Sequence, residues 1–205
     1  MPIISDDIFH NDYRIYTWEI TESKEELENM CKEASFDISL IKTIKLPKRA
    51  KEKLAELLIL QHATGCNVKL AHRENGAPYI VNEPINISIT HSGNFVCIAF
   101  SLHKQIGIDI ESHSDKVLRV RDRFLNEAEK SHISQQDLEM NLMAWTSKEA
   151  IYKATSISGI DFKESIRLNL PDKGQSLSGN SIINFSLHHH KIDNYLITVA
   201  IIAQN

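Results

Sequence analysis

The stretch QIGIDIES, residues 105–112, sets two carboxylates two residues apart inside a run of isoleucines. Ile106, Ile108 and Ile110 alternate with Gly107, Asp109 and Glu111, the period-two pattern of a half-buried strand. Such a strand turns the isoleucines into a core and holds Asp109 and Glu111 roughly 6.6 Å apart on its other face. Like charges side by side on a strand destabilise it, so something on that face must compensate. A third acid stands forty residues further on, in WTSKEAIYKA, residues 145–154. There Trp145, Glu149 and Lys153 recur at i, i+4 and i+8 and share one side of a helix. Two readings of Glu149 and Lys153 stand. One is an exposed pair worth about 0.2–0.5 kcal/mol. In the other, Glu149 joins Asp109 and Glu111. Three carboxylates around one point repel strongly without a divalent cation, and oxygen-only ligands suit Mg²⁺, which borrows further oxygens from a substrate phosphate. A nearby lysine suits phosphate as a point charge.

A further polar set lies in ITHSG, residues 89–93, where Thr90, His91 and Ser92 bring hydroxyls and an imidazole to a strand end. A lone histidine is most simply a structural one; beside a phosphate it donates a hydrogen bond. Lys48, Arg49, Lys51 and Lys53 read as a solvated helix face, and Arg73, just before the Asn75–Gly76 turn, is equally ambiguous by itself. The three histidines at 188–190 point alternately to opposite faces of a strand, which does not make a chelating site.

These residues need elements to position them. In 205 residues, 42% apolar and 24% charged, there is enough chain for a substantial core. The net charge of −4 argues against a nucleic-acid binder. Cys31, Cys66 and Cys97 are odd in number and widely spaced, which forms neither a disulfide framework nor a zinc pattern and suits a reducing compartment. The first residues lack the basic and apolar regions of a signal peptide, and no apolar run approaches a membrane span, so a cytoplasmic protein without membrane or nucleic-acid partners is expected.

YRIYTWEI, residues 13–20, reads as a strand. Residues 23–34 carry an N-cap and capping-box glutamate, Ser23 and Glu26, and residues 47–65 run from a proline start to a glycine stop; both predict helices. RENGAPYIV holds a turn and a short extended segment, and residues 85–101 read as a hairpin about HSGN. Residues 117–125 read as irregular, with a helix from about Asn126 and a long one over 135–156. SIRLNL, SIINFSLHHHK and NYLITVAII complete the strands. No repeat is visible in the letters. Helices mixed with hairpin-connected strands predict an α+β fold, with a junction near residues 102–105 that divides the chain into an N-terminal half, 1–104, and a C-terminal half, 105–205, carrying the acids.

Taken in order, RENGAP, ISITHSG, GIDIE, RFLNEAE and WTSKEAIYKA resemble the motifs of the larger, surfactin-synthetase-type 4′-phosphopantetheinyl transferases. That family shows a Gly-Lys-Pro turn, a Ser-His-Ser strand end, G-[IV]-D-[IV]-E, a Phe…Glu segment and W-x-x-K-E-[AS]-x-x-K, in this order. The resemblance covers residues 73–153 and is most specific in the pairing of GIDIE with WxxKEAxxK. It implies two similar α+β halves related by a pseudo-twofold axis, with the active site in the cleft between them, in a chain that works as a monomer. It implies transfer of 4′-phosphopantetheine from coenzyme A to a serine of an acyl or peptidyl carrier protein, serving fatty-acid, polyketide or nonribosomal-peptide synthesis and releasing adenosine 3′,5′-bisphosphate.

Carried over residue by residue, the resemblance makes Asp109, Glu111 and Glu149 the Mg²⁺ ligands and Glu149 and Lys153 the catalytic pair. Thr90, His91 and Lys153 meet coenzyme A phosphates, Lys48 or Arg49 the 3′-phosphate, and Arg73, Asn75 and Gly76 the adenine side. The chemistry accords: a serine hydroxyl needs a base, for which Glu149 or a water it orients is suited, and phosphoryl-type transfer otherwise depends on positioning and charge.

Three positions depart from the family pattern. The turn lysine is Ala77, a proline of the Phe…Glu segment is Glu127 with Glu129 as the matching acid, and a Gly-x-Gly after Lys153 is replaced by ATSISGI. Ala77 motivates an alternative, a non-catalytic relative that binds coenzyme A or a carrier. An unrelated Mg²⁺-dependent phosphohydrolase would use the acids but leave His91 and the Trp-x-x-Lys-Glu helix unexplained.

Overall fold

The computed structural model describes residues 3–9, 12–155, 157 and 159–203. Ser156 and Ser158 of the ATSISGI departure lie outside them.

Apolar alternation along two sets of strands builds two antiparallel sheets. The first contains β1 (Ile3–Phe9), β2 (Tyr13–Glu19), β5 (Asn86–Ser92) and β6 (Phe95–Ser101), in the order β1-β2-β6-β5. Before β5 come helices α1 (Lys24–Glu33), α2 (Ser39–Lys42) and α3 (Pro47–Thr64), then a small hairpin, β3 (Leu70–His72) and β4 (Pro78–Ile80). The second sheet contains β7 (Ile106–Ser112), β8 (Ile166–Asn169), β9 (Lys173–Ser178), β10 (Ser181–Ile192) and β11 (Tyr195–Ile202), in the order β7-β11-β10-β9-β8. Between β7 and β8 lie α4 (Lys116–Phe124), α5 (Glu127–His132) and α6 (Leu138–Thr155). The fold is α+β, and its connectivity repeats. β2, helices, then the β5–β6 hairpin close with β2 on β6; β7, helices, then the β10–β11 hairpin close with β7 on β11. Packing constrains the alternation and not the letters, so the repeat is present in topology without being visible in sequence.

Four layers follow. Tyr16, Trp18, Val96 and Ile98 turn to Leu27, Leu54 and Ile59 of α1 and α3. Their strand neighbours Ile15, Phe95, Cys97 and Ala99 turn the other way, against Ile106, Ile108, Ile110, Ile197 and Val199 of the second sheet. Beyond that sheet, α6 packs on β7 and β11. Sheet against sheet thus makes the central core, and the expected core roles of Trp18, Phe95 and Phe100 hold.

The caps read from sequence form: Ser23 and Glu26 complete their capping box, and Gly65 closes α3 at φ 72°. Residues 117–125, expected to be irregular, are helical instead. Val117, Arg121 and Phe124 form a buried stripe at i, i+4 and i+7, hidden in the sequence because its middle member is a charged residue. Arg121 is buried because it donates to Asn141 Oδ1 and to the Ile133 carbonyl. β1 and β9 were not legible, since IISDDIF and KGQSLS lack clean alternation, and β3 has only three residues. The half-burial expected of β7 is also corrected: as far as Ile110 it is covered on both faces, by β2 and β6 side chains on one and by α6 on the other.

Candidate active site

β5 and β7 are the edges of their sheets, and they are joined to one another by hydroxyls. Ser88 Oγ accepts from the Ile108 amide at 3.1 Å and Thr90 Oγ1 from the Ile110 amide at 3.4 Å. Thr90 donates to Asp109 Oδ1 at 3.1 Å, and Ser92 to Glu111 Oε2 at 3.2 Å. The partners climb together along both strands, so the strands run side by side in the same sense. Ser88, Thr90 and Ser92 share one face because they alternate, and this period of hydroxyls was the overlooked signal for the seam.

On the other side of β7 stands α6. Gly107 sets its distance: a Cβ at this position would overlap the Ala150 carbonyl oxygen and the Ala154 amide. A strand glycine marks a close backbone approach, and here the approach carries Glu149 and Lys153, flanking Ala150, to the acids of β7. Lys153 Nζ donates to Asp109 Oδ1 at 2.7 Å, to the Ile108 carbonyl at 3.0 Å and to Thr90 Oγ1 at 3.2 Å. Thr90 therefore spends its one proton on Asp109 and both lone pairs on Ile110 and Lys153. Trp145, on the same helix, packs between Phe124 and Phe162 and fixes the helix rather than touching the acids.

Charge is concentrated here. Asp109 is 6% exposed, and burial pushes its carboxyl above the ordinary value against the pull of Lys153 and Thr90. Its Oδ2 has no hydrogen-bond partner. Glu111 is raised by burial and by the Asp109 charge. Glu149 is raised to about 7, by burial first and then by Asp109 and Glu111, with Lys153 opposing. The three acids thus feel one another, as their spacing suggested. They do not form a closed cage: among the described residues no three His, Cys, Asp or Glu groups stand in metal-binding geometry.

His91 stands between Thr90 and Ser92 in β5 and, by strand alternation, turns to the opposite face. Arg49, in the first turn of α3, brings Nη1 to 2.6 Å from His91 Nε2 and 3.1 Å from Glu52 Oε2. A guanidinium only donates, so His91 Nε2 accepts and the ring is neutral, in line with a pKa lowered chiefly by burial. Lys48 does not join this group; its ammonium is largely exposed, 4.0 Å from Glu52. Lys53 pairs with Glu56 at 2.6 Å instead of facing solvent.

Arg73, Asn75 and Gly76 sit in the β3–β4 turn, where Gly76 adopts φ 83° and Asn75 Oδ1 accepts from the Ala77 amide. Arg73 lies over the Tyr79 ring at 5.1 Å. With Ile87, Tyr152 and Lys153 these turn residues line a cleft of about 590 Å³. Lys153 lines the cleft and also contacts Asp109, which links the two regions. Tyr79 and Tyr152, which sequence reasoning passed over, are the aromatic walls of that cleft.

The remaining motif residue is Lys148, fully buried and paired with Glu129 at 2.8 Å. Phe124 and Leu125 are buried too and pack within the domain.

Residues 105–200, which hold the second sheet and α6, match the model of the family described as ACPS, the 4′-phosphopantetheinyl transferase superfamily. The match supports that superfamily, and with it a transferase whose general chemistry moves phosphopantetheine between coenzyme A and carrier proteins. No curated protein matches the chain. No helix among the described residues is long and apolar enough to cross a membrane.

Proposed function

We propose that the chain transfers 4′-phosphopantetheine from coenzyme A to a serine of an acyl or peptidyl carrier protein, as a transferase of the larger, surfactin-synthetase type acting as a monomer. The observation that carries this reading is the meeting of Lys153, Asp109 and Thr90 within 3.2 Å of one another, at the end of a cleft bounded by both halves of the chain.

In this reading coenzyme A lies along the cleft, its adenine beside Arg73, Asn75 and Gly76, its 3′-phosphate toward Arg49 and His91, and its pyrophosphate toward Lys153. The donor set fits Mg²⁺. Asp109, Glu111 and Glu149 offer only oxygens, Asp109 Oδ2 is buried and unpartnered, and the raised Glu149 is what a cation would relieve. When bound there, Mg²⁺ would neutralise pyrophosphate charge and favour the charged phosphorus oxygens of the transition state. As a carboxylate, Glu149, or a water it orients, would take the proton of the attacking serine. Lys153 lies where it would offset charge on the departing adenosine bisphosphate.

The test is incubation with coenzyme A, Mg²⁺ and several apo carrier proteins, followed by the mass of each carrier. A phosphopantetheine adduct is expected on at least one. No adduct on any carrier, with coenzyme A binding intact, would make the chain a binding relative; phosphate release without a carrier would make it a hydrolase.

A further inference from the structure

The mechanism above leaves the buried carboxylate of Glu56 unused. Glu56, 1% exposed, lies in the middle of α3 beneath His91. Its Oε2 accepts from Lys53, but Oε1 has no hydrogen bond and stands 4.0 Å from His91 Nε2. A buried carboxylate oxygen without a donor is costly, and an imidazole so near is the obvious group to supply one. It does not do so in this state, because Arg49 occupies Nε2 as a donor.

We infer that Glu56 makes His91 a proton-accepting receptor for a phosphate monoester. A phosphate dianion competes for the Arg49 guanidinium, whose bidentate fork prefers an anion to a neutral nitrogen. Once Arg49 turns to the phosphate, Nε2 is free and takes a proton from the buffer. The resulting imidazolium sits between the phosphate oxygens and Glu56 Oε1, so both negative groups favour it. One proton is taken up and no bond other than N–H is made. The charged groups facing His91 are Arg49, Glu52 and Glu56 from α3 and Lys153 from α6. Arg49 and Lys153 oppose the imidazolium until phosphate arrives, and Glu52 and Glu56 favour it. His72, at the end of β3, faces Lys53, Glu56 and Arg49 as well, and its pKa is lowered by burial first. Glu56 acts through His91 and is therefore a positioning residue.

This inference rests on the proposed reading in one respect, that coenzyme A is the ligand presenting the monoester, at its 3′ position. The experiment is calorimetric titration of the protein with coenzyme A and with 3′-dephospho-coenzyme A, at pH 7.5 with Mg²⁺, in two buffers of different ionisation enthalpy. The difference between buffers counts protons. Coenzyme A should bring uptake of about one proton and the dephospho form close to none. Glu56→Gln should lower the uptake to a small fraction and weaken coenzyme A binding about tenfold or more, with little change toward the dephospho form. His91→Gln should abolish the uptake, which keeps the assignment testable if the Glu56 variant does not fold. Coenzyme A binding with no proton uptake, uptake unchanged in either variant, or equal uptake with the dephospho form would overturn the inference while leaving the functional reading in place. No binding of coenzyme A at all would overturn both.

Discussion

Lys148 and Glu129 meet 2.8 Å apart where neither side chain is more than 5% exposed. Each is satisfied on every side. Glu129 also accepts from the Asn126 amide, closing the capping box of α5, and from the Leu168 amide of β8. Lys148 donates to the carbonyls of Ile166, Lys163 and Phe162. The pair ties α5, α6 and β8 together, one residue before Glu149. The lysine of the Trp-x-x-Lys-Glu motif is thus a clamp on the helix that bears Glu149 and Lys153, and the acid of the Phe…Glu motif is its counterpart.

Removing one partner strands a buried charge. Glu129→Ala or Lys148→Ala should destabilise the fold by about 3–5 kcal/mol, read from denaturant unfolding midpoints. Replacing both with apolar residues of similar size should restore only the part due to the stranded charge, because the Asn126 and Leu168 amides and the Ile166 carbonyl lose their partners too. If the double variant is no more stable than the singles, the cost lies in packing and not in charge.

Gly107→Ala tests the spacing of α6 from β7. The added methyl meets backbone atoms of Ala150 and Ala154, which cannot swing aside as a flexible side chain does. The helix must move, at about 1–3 kcal/mol of stability. Because a displacement near 1 Å can cost about 100-fold in rate, transfer should fall by that order while a cooperative melt persists. A variant with full transfer activity would show that α6 and β7 can separate without harm.

How far these relationships were legible depends on range. Asp109, Glu111, His91, Glu149 and Lys153 were singled out by type and by the order of the motifs that hold them, each open to a plainer reading by itself, whereas the caps at Ser23 and Gly65 are local and could be read directly. What the letters did not carry was set by contacts between distant segments. Arg121 is buried only because Asn141 and Ile133 accept from it, so α4 did not look amphipathic. Lys148 and Glu129 are ordinary surface residue types until the fold pairs them. The basic run at 48–53 read as one face, yet Arg49 turns to His91 and Lys53 to Glu56 while Lys48 remains in solvent.

The cysteines offer a check on the layering. Cys31 and Cys97 are fully buried, and burial pushes each thiol up to about 12; Cys66 is exposed beyond the end of α3. Only the thiolate reacts, so a thiol reagent at pH 8 should titrate one group quickly in the native protein and three after unfolding. Cys66→Ser should remove the fast phase. Two fast thiols in the native protein would contradict the packing of α1 on α3 or of sheet on sheet.

The charge state of Glu149 makes a prediction with a definite sign. Its folded pKa is raised to about 7 from the ordinary value of 4.5, so the folded form binds its proton more tightly than the unfolded chain does. The stability this contributes is full below the unfolded value and is lost as pH rises through about 7. Without divalent cation the melting temperature should therefore decline between pH 5 and pH 8, and Glu149→Gln, which cannot ionise, should flatten the decline. Asp109 and Glu111, also raised, push in the same direction, while Lys153 opposes them. If Mg²⁺ binds these acids, it should raise the melting temperature more at pH 8 than at pH 5.5, where protons compete for the same oxygens. Transfer by Glu149→Gln should drop by about 100- to 10,000-fold, the range of a lost general base. A Mg²⁺-induced shift that is the same at both pH values, or that survives in Asp109→Ala with Glu149→Gln, would place the cation elsewhere.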